Sequence, residues 1–140
     1  MKRARKFLGM PASDRRLLAS AFLAIAWVRI HLAVFRFRVG HGYTLSRKVS
    51  QTPGRSPERI AWSVDLASRH LGNATCLVRA MTTQLLLARH GFPSQVHIGV
   101  AAGADFSAHA WVDCGGQILI GGPEASLYRP LLAWGNGGVR

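Results

Sequence analysis

The sequence has few cysteines and few acidic residues. Its two cysteines, Cys76 and Cys114, are too few for a disulfide framework, and no CxxC pair indicates a zinc site. We therefore expect free thiols in a reducing compartment and a cytoplasmic location. Only six residues of 140 are acidic, against 18 Lys and Arg, which gives a net charge of +12. Hydrophobic residues make up 49%, which excludes a chain that is disordered throughout.

The length predicts one compact domain rather than two. Within it, we expect an N-terminal helical region and linker over residues 1–55 and the main core over residues 56–140. The charge is concentrated at the front, because residues 1–48 have a net charge of +10 and residues 49–140 only +2. This asymmetry suggests an anionic partner or surface for the front of the chain.

A long helix is predicted from Ser13 or Asp14 to about Phe35. Its uncharged apolar run, residues 17–28, is shorter than the roughly 20 residues that a transmembrane helix needs, and it starts too late for a signal peptide. We expect this helix to pack on the domain or on a partner protein, with peripheral membrane contact and nucleic-acid binding as alternatives. Residues 40–56, rich in Gly, Ser and Pro, predict a linker or surface loop.

Two further helices are predicted in the second half. Ser56-Pro57-Glu58 combines a capping hydroxyl, a proline at the first helical position and an early acid, and Leu71-Gly72 ends the helix that follows. The next helix begins near Asn73 to Cys76 and ends at Gly91. Both have an apolar side, so both are expected to pack on the core.

The pattern changes from helical to extended after these helices. Alternation predicts strands over Gln95–Ala102, Ser107–Cys114 and Gln117–Ile120, with Gly115-Gly116 as the hairpin turn between the last two. Helices followed by an antiparallel sheet indicate an α+β fold.

Cys76 and His109 are the candidates for nucleophilic chemistry. Cys76 lies at a predicted helix start, where backbone amides and the helix macrodipole stabilise a thiolate. His109 lies 33 residues later on a strand, and an imidazole there can accept a thiol proton and pass it to a leaving amine. A core cysteine and a structural histidine are the commoner alternatives. Cys114, beside a hairpin turn, is expected to be structural, and the other histidines lack the spacing of metal ligands.

Several sequence blocks together carry a family resemblance. They are CLVRA from Cys76, LLLARHG from Leu85, QVHIGV from Gln95, AHAWV from Ala108 and IGG from Ile120, preceded by Phe7-Leu8, Pro11, Asp14-Arg15 and Arg29. Over nearly the whole chain they resemble the transglutaminase-like proteins of lasso-peptide biosynthesis, in their stand-alone leader-peptidase form.

The resemblance implies a transglutaminase-like, papain-like cysteine-peptidase core. Cys76 would attack the carbonyl at the leader–core junction of a ribosomally made precursor peptide, and His109 would act as base and then as acid. An asparagine-synthetase-like, ATP-dependent cyclase would then join the new amino terminus to an acidic side chain. The first 55 residues match family-typical helices, so we expect a separate leader-recognition protein as a partner. No metal, cofactor or nucleic acid is expected, and membrane contact is the weaker alternative.

One family feature is missing. Relatives often have an aspartate about 12 residues after the histidine to orient its ring, and here that position is Gly121. Asp113 is too far along the strand, at ~13 Å from His109. Counting outward from the hairpin turn places Gly121 opposite Ala110 and Gly122 opposite His109, with Glu124 just beyond. Glu124 is therefore the candidate third member, with a backbone carbonyl, an amide or water as the alternatives.

The residues around His109 leave alternatives open. Trp111 is predicted on the same face of the strand, either as a core aromatic or as a wall that shields the catalytic pair. Tyr128, Pro130 and Trp134 are predicted to pack or to form a lid.

Two other functions also stay open. A non-catalytic scaffold of the same fold would present precursor peptide to the cyclase, and the glycine at position 121 favours it slightly. A nucleic-acid or membrane-surface binder would use the basic front, and its affinity would fall steeply with salt.

Overall fold

A computed structural model describes residues 6, 8–35, 55–72, 74–101, 103 and 105–135. These residues form helices α1 Ala12–Phe35, α2 Pro57–His70, α3 Cys76–Arg89 and α4 Gly122–Ala125, and strands β1 Gln95–Ala101, β2 Ser107–Cys114, β3 Gln117–Ile120 and β4 Arg129–Gly135. The predicted α+β class is confirmed. Of the predicted linker over residues 40–56, all but Arg55 and Ser56 lies outside the described residues.

The helices α2 and α3 begin where capping chemistry predicts. The Ser56 hydroxyl accepts a hydrogen bond from the Arg59 N–H at 3.2 Å, and Pro57 is the first helical residue. The Thr75 hydroxyl likewise accepts from the Val78 N–H at 3.4 Å. This second cap makes Cys76 the first residue of α3.

The hydrophobic core lies between α1, α2, α3 and one face of the sheet. One buried cluster joins them, and its members include Leu17, Ala21, Ile25, Val28, Ile60, Val64, Ala80, Leu86, Leu87, Val96, Ala110, Val112 and Ile120. The N-terminal helix therefore shares one core with the elements that follow residue 56.

The sheet is antiparallel, with the strand order β3-β2-β1-β4. The predicted hairpin turn is confirmed, since Gly115 and Gly116 have φ values of 62° and 84°. The pairing of β2 with β3 shifts by one residue between Val112 and Asp113, so that Ile120 lies opposite Val112. The expectation that Gly121 lies opposite Ala110 is therefore wrong, because a bulge interrupts the uniform count from the turn.

Candidate active site

Cys76 is the first residue of α3 and is half-buried against the core cluster. The first N–H groups of a helix have no acceptor within the helix, and they form the positive end of its dipole. The side chain of Cys76 therefore lies beside backbone N–H groups that can donate hydrogen bonds to a negatively charged group.

His109 projects from β2 on the side away from the core cluster. Ala110, the next residue along the strand, and Val112, three residues after His109, belong to the cluster, and successive strand side chains point to opposite faces. On its own face the His109 ring stacks on Trp111, with ring centroids 6.2 Å apart, and on Tyr128, with centroids 5.0 Å apart. The prediction that Trp111 shares this face is confirmed, and Tyr128 acts as a packing residue. Only 11% of the His109 side chain is exposed.

A backbone carbonyl holds the His109 ring. The ring atom Nε2 lies 3.0 Å from the carbonyl oxygen of Gly121. A carbonyl oxygen can only accept a hydrogen bond, so in the neutral ring Nε2 carries the proton and Nδ1 has the lone pair. This carbonyl belongs to Gly121, the position at which the resemblance predicts an acid. It is one of the alternatives expected in place of a side-chain acid.

Gly121 has a backbone conformation and surroundings that require glycine. Its φ is +77°, and a Cβ there would lie 2.9 Å from the carbonyl oxygen of Ala110 and from Cβ of Trp111, and 3.0 Å from Nε2 of His109. An aspartate cannot take this position unless the surrounding groups move. The local backbone therefore favours glycine over an acidic residue at position 121.

Glu124 lies close to the ring without forming a hydrogen bond. Its Oε2 atom is 3.9 Å from Nδ1 of His109, beyond the range of a hydrogen bond, and 65% of the side chain is exposed. The role of Glu124 as third member stays a prediction.

The two predicted catalytic side chains are carried by elements that touch. Helix α3 packs against β2. Among the described residues, however, no hydrogen bond joins Cys76 to His109. Catalytic hydrogen bonds often tighten only when substrate is bound. Their pairing during catalysis stays a prediction.

A cleft of about 390 Å³ lies beside the site. On one side it is lined by Glu58 and Trp62 of α2 and by the ion pair between Arg79 and Asp65, whose atoms are 2.5 Å apart. Residues 117–123 form the other side. These residues are β3 and the turn that follows it. Since β3 is at the edge of the described sheet, its outer edge borders this cleft.

The remaining described histidines have contacts of their own. His90 Nε2 is 2.6 Å from an Arg55 nitrogen, and the His97 ring stacks on Trp111 with centroids 5.5 Å apart. Within the described ranges, no three or more His, Cys, Asp or Glu side chains lie close enough together to hold a metal ion.

Comparison with protein families identifies the fold. The profile of the transglutaminase-like superfamily matches residues 19–133, from within α1 to within β4. The chain belongs to the transglutaminase-like superfamily. This superfamily includes cysteine peptidases, which use the residue types found at the two candidate positions. No curated protein and no solved structure matches the sequence.

Within this transglutaminase-like chain, the second thiol has a different environment. Cys114 ends β2 beside the hairpin turn. Burial raises the pKa of Cys114, and the carboxylates of Asp113 and Glu58 raise this pKa further. A thiolate at Cys114 therefore forms only at a higher pH than in an ordinary cysteine.

We expect iodoacetamide to modify Cys76 at least about fivefold faster than Cys114 near neutral pH, because only the thiolate reacts. Peptide mapping by mass spectrometry over a time course measures both rates in one sample. The Cys76→Ala and Cys114→Ala proteins assign each rate to its thiol. Equal rates, or a faster Cys114, would contradict the assignment of Cys76 as the activated thiol.

Proposed function

We propose that this protein is a cysteine peptidase that removes the leader from a ribosomally made lasso-peptide precursor. The observation that supports it best is the contact between Nε2 of His109 and the Gly121 carbonyl, at the position of the family acid. Superfamily membership supports the cysteine chemistry. The choice of a lasso-peptide precursor comes from the resemblance of the CLVRA and AHAWV blocks and awaits a direct test.

The held ring determines which nitrogen acts as the base. With Nε2 directed to Gly121, Nδ1 is the atom that accepts the thiol proton of Cys76. The sulfur then bonds to the carbonyl carbon at the leader–core junction, and the electron pair of the C=O bond moves to oxygen. Amides at the start of α3 donate to this oxyanion. The Oε2 atom of Glu124 lies 3.9 Å from this nitrogen.

The second half of the reaction returns the proton. Nδ1 gives it to the leaving amine as the C–N bond breaks, and the core peptide departs with a free amino terminus. Water, deprotonated by the same ring, attacks the thioester and displaces the Cys76 sulfur. The products are a leader with a new carboxylate, a core peptide and the regenerated thiol.

The cleft beside Gly121 supports an extended peptide as substrate. An edge strand offers unpaired backbone N–H and C=O groups, and added strands are a common mode of peptide binding. The cleft runs along β3 to Gly121 and Gly122. A precursor segment that pairs with β3 would therefore continue toward the carbonyl that holds His109.

The proposal is tested with the protein, a candidate precursor and its leader-recognition protein. We expect one cleavage, seen by mass spectrometry as two fragments whose masses sum to the precursor plus one water. A precursor with the two residues at the junction exchanged serves as the control and should remain intact. A folded protein with a reactive Cys76 that leaves the precursor whole would contradict the proposal.

A non-catalytic scaffold is the second candidate. The observation that favours it is the lack, among the described residues, of a hydrogen bond between Cys76 and His109. A scaffold would raise the yield of cyclised product from a core peptide supplied already cleaved. The Cys76→Ala protein would keep that effect, whereas a peptidase would lose its activity.

A further inference from the structure

The outward side of α1 is apolar along most of its length. Between residues 19 and 34 every exposed residue is apolar, namely Ala19, Leu23, Ala26, Trp27, Ile30, Ala33 and Val34. The four large ones, Leu23, Trp27, Ile30 and Val34, are 55–73% exposed, and their spacing places them on one face. We call these four residues the outer stripe. Large exposed apolar surfaces of this kind mark sites of interaction.

The opposite side of α1 fixes the helix in the fold. Leu17, Ala21, Ile25 and Val28 are buried in the core with α2 and α3. By length and composition alone, Ala12–Val34 could cross a membrane. Its most apolar 18 residues have a mean hydropathy of 1.9, but a third of them are buried inside the fold. Because leaving the core would expose these residues, α1 is suited to lie on a surface rather than to span it.

The charge of the sequence that contains and flanks α1 indicates what covers the outer stripe. Residues 15–57 contain eight Lys and Arg and no acidic residue, and residues 2–6 add four more basic side chains. The acid just before this segment, Asp14, is paired with Arg59. An apolar helix face within a basic segment is the chemistry of proteins that bind anionic lipid surfaces. A second copy of the chain would instead bring two strongly basic segments together.

We propose that the outer stripe binds the surface of an anionic membrane, with α1 parallel to the bilayer plane. Leu23, Trp27, Ile30 and Val34 would enter the boundary between head groups and acyl chains, and the basic residues would contact lipid phosphates. This inference does not depend on the proposed peptidase activity. In the sequence analysis, membrane contact is the weaker alternative for this helix. The exposed apolar face of α1 in the folded chain supports it.

The test uses the full chain with vesicles of equal parts phosphatidylglycerol and phosphatidylcholine, and with vesicles of phosphatidylcholine alone. We expect flotation with the anionic vesicles, weakened by high salt, and at least about tenfold weaker flotation with the neutral ones. The Leu23→Ser/Ile30→Ser protein should lose about tenfold or more of its binding. Leu127→Ser/Leu131→Ser removes two leucines of similar exposure outside α1 and is the matched control.

A fluorescence measurement locates the contact in the helix. The Trp27→Leu protein keeps an apolar side chain, so its binding should change by no more than about threefold. It should lose the blue shift in tryptophan emission that wild-type protein shows with anionic vesicles. Unchanged binding of Leu23→Ser/Ile30→Ser would overturn the proposal, as would equal binding to neutral vesicles. So would a wild-type dimer that these two substitutions convert to a monomer, because a second copy would then cover the stripe.

Discussion

Replacing Cys76 with alanine is expected to lower precursor cleavage by about a thousandfold or more while the protein stays folded. The thiolate has no substitute as the bond-forming atom in this site. The fold should tolerate the change, because Cys76 is half-buried at a helix start and alanine has high helix propensity. Cleavage is followed by mass spectrometry, and the melting temperature confirms the fold. Cys114→Ala, the same chemical change at the other thiol, is the matched control and should retain cleavage.

A double variant tests whether Cys76 and His109 act as a unit. If His109 activates Cys76, Cys76→Ala/His109→Ala should be no less active than the worse of the two single variants. Losses that multiply would show that the two residues act independently. This comparison is decisive here, because the described structure shows contact between their elements but no hydrogen bond between their side chains.

Replacing Gly121 with alanine is expected to lower both stability and cleavage. The residue must keep a φ of +77°, and its new methyl group would lie 2.9 Å from the Ala110 carbonyl oxygen and 3.0 Å from Nε2 of His109. We expect the free energy of unfolding to fall by about 2–4 kcal/mol, from left-handed strain and overpacking together. Cleavage should fall by about tenfold or more even where the protein is folded, because the ring loses its position.

Two neighbours provide the comparison for Gly121→Ala. Gly122 has no such φ, and a Cβ there would be 3.4 Å from Ile118, so Gly122→Ala should have a small effect on unfolding by denaturant. Glu124→Gln removes the charge near Nδ1 and should lower kcat/KM by less than about tenfold, since the carboxylate is mostly exposed. If Glu124→Gln instead lost as much activity as Gly121→Ala, Glu124 would be the orienting group.

Elements with a local chemical signature could be predicted from the sequence. Ser56-Pro57 determines the start of α2, and Gly115-Gly116 determines the hairpin turn, through interactions that span only a few residues. The predicted start of α3 within residues 73–76 is confirmed for the same reason, since the Thr75 cap is local. Capping and turn chemistry therefore give the framework of the site.

The missed elements depend on contacts distant in sequence. Strand β4 contains Pro130 and two adjacent exposed leucines, Leu131 and Leu132, so it shows no alternation. It forms because it pairs with β1 at the edge of the sheet, where proline is tolerated. Helix α4 has only four residues, too few for a helical period.

The candidate site also has a part that the sequence predicts and a part that it does not. Cys76 and His109 could be named as candidates because they are side chains in recognisable blocks. The group that contacts His109 could not be assigned, because it is a main-chain oxygen that every residue has. Its position depends on the register shift between Val112 and Asp113, and nothing in the sequence of the hairpin specifies that shift.

The contact between His109 and a main-chain oxygen has a consequence for tolerance to mutation and acid. No substitution at position 121 can delete this oxygen, so only a change in the path of the chain can remove it. An amide oxygen also stays unprotonated in mild acid, whereas a carboxylate in its place would be neutralised. Mild acid therefore does not remove the acceptor that orients the imidazole. A change in the backbone conformation at Gly121 would remove it.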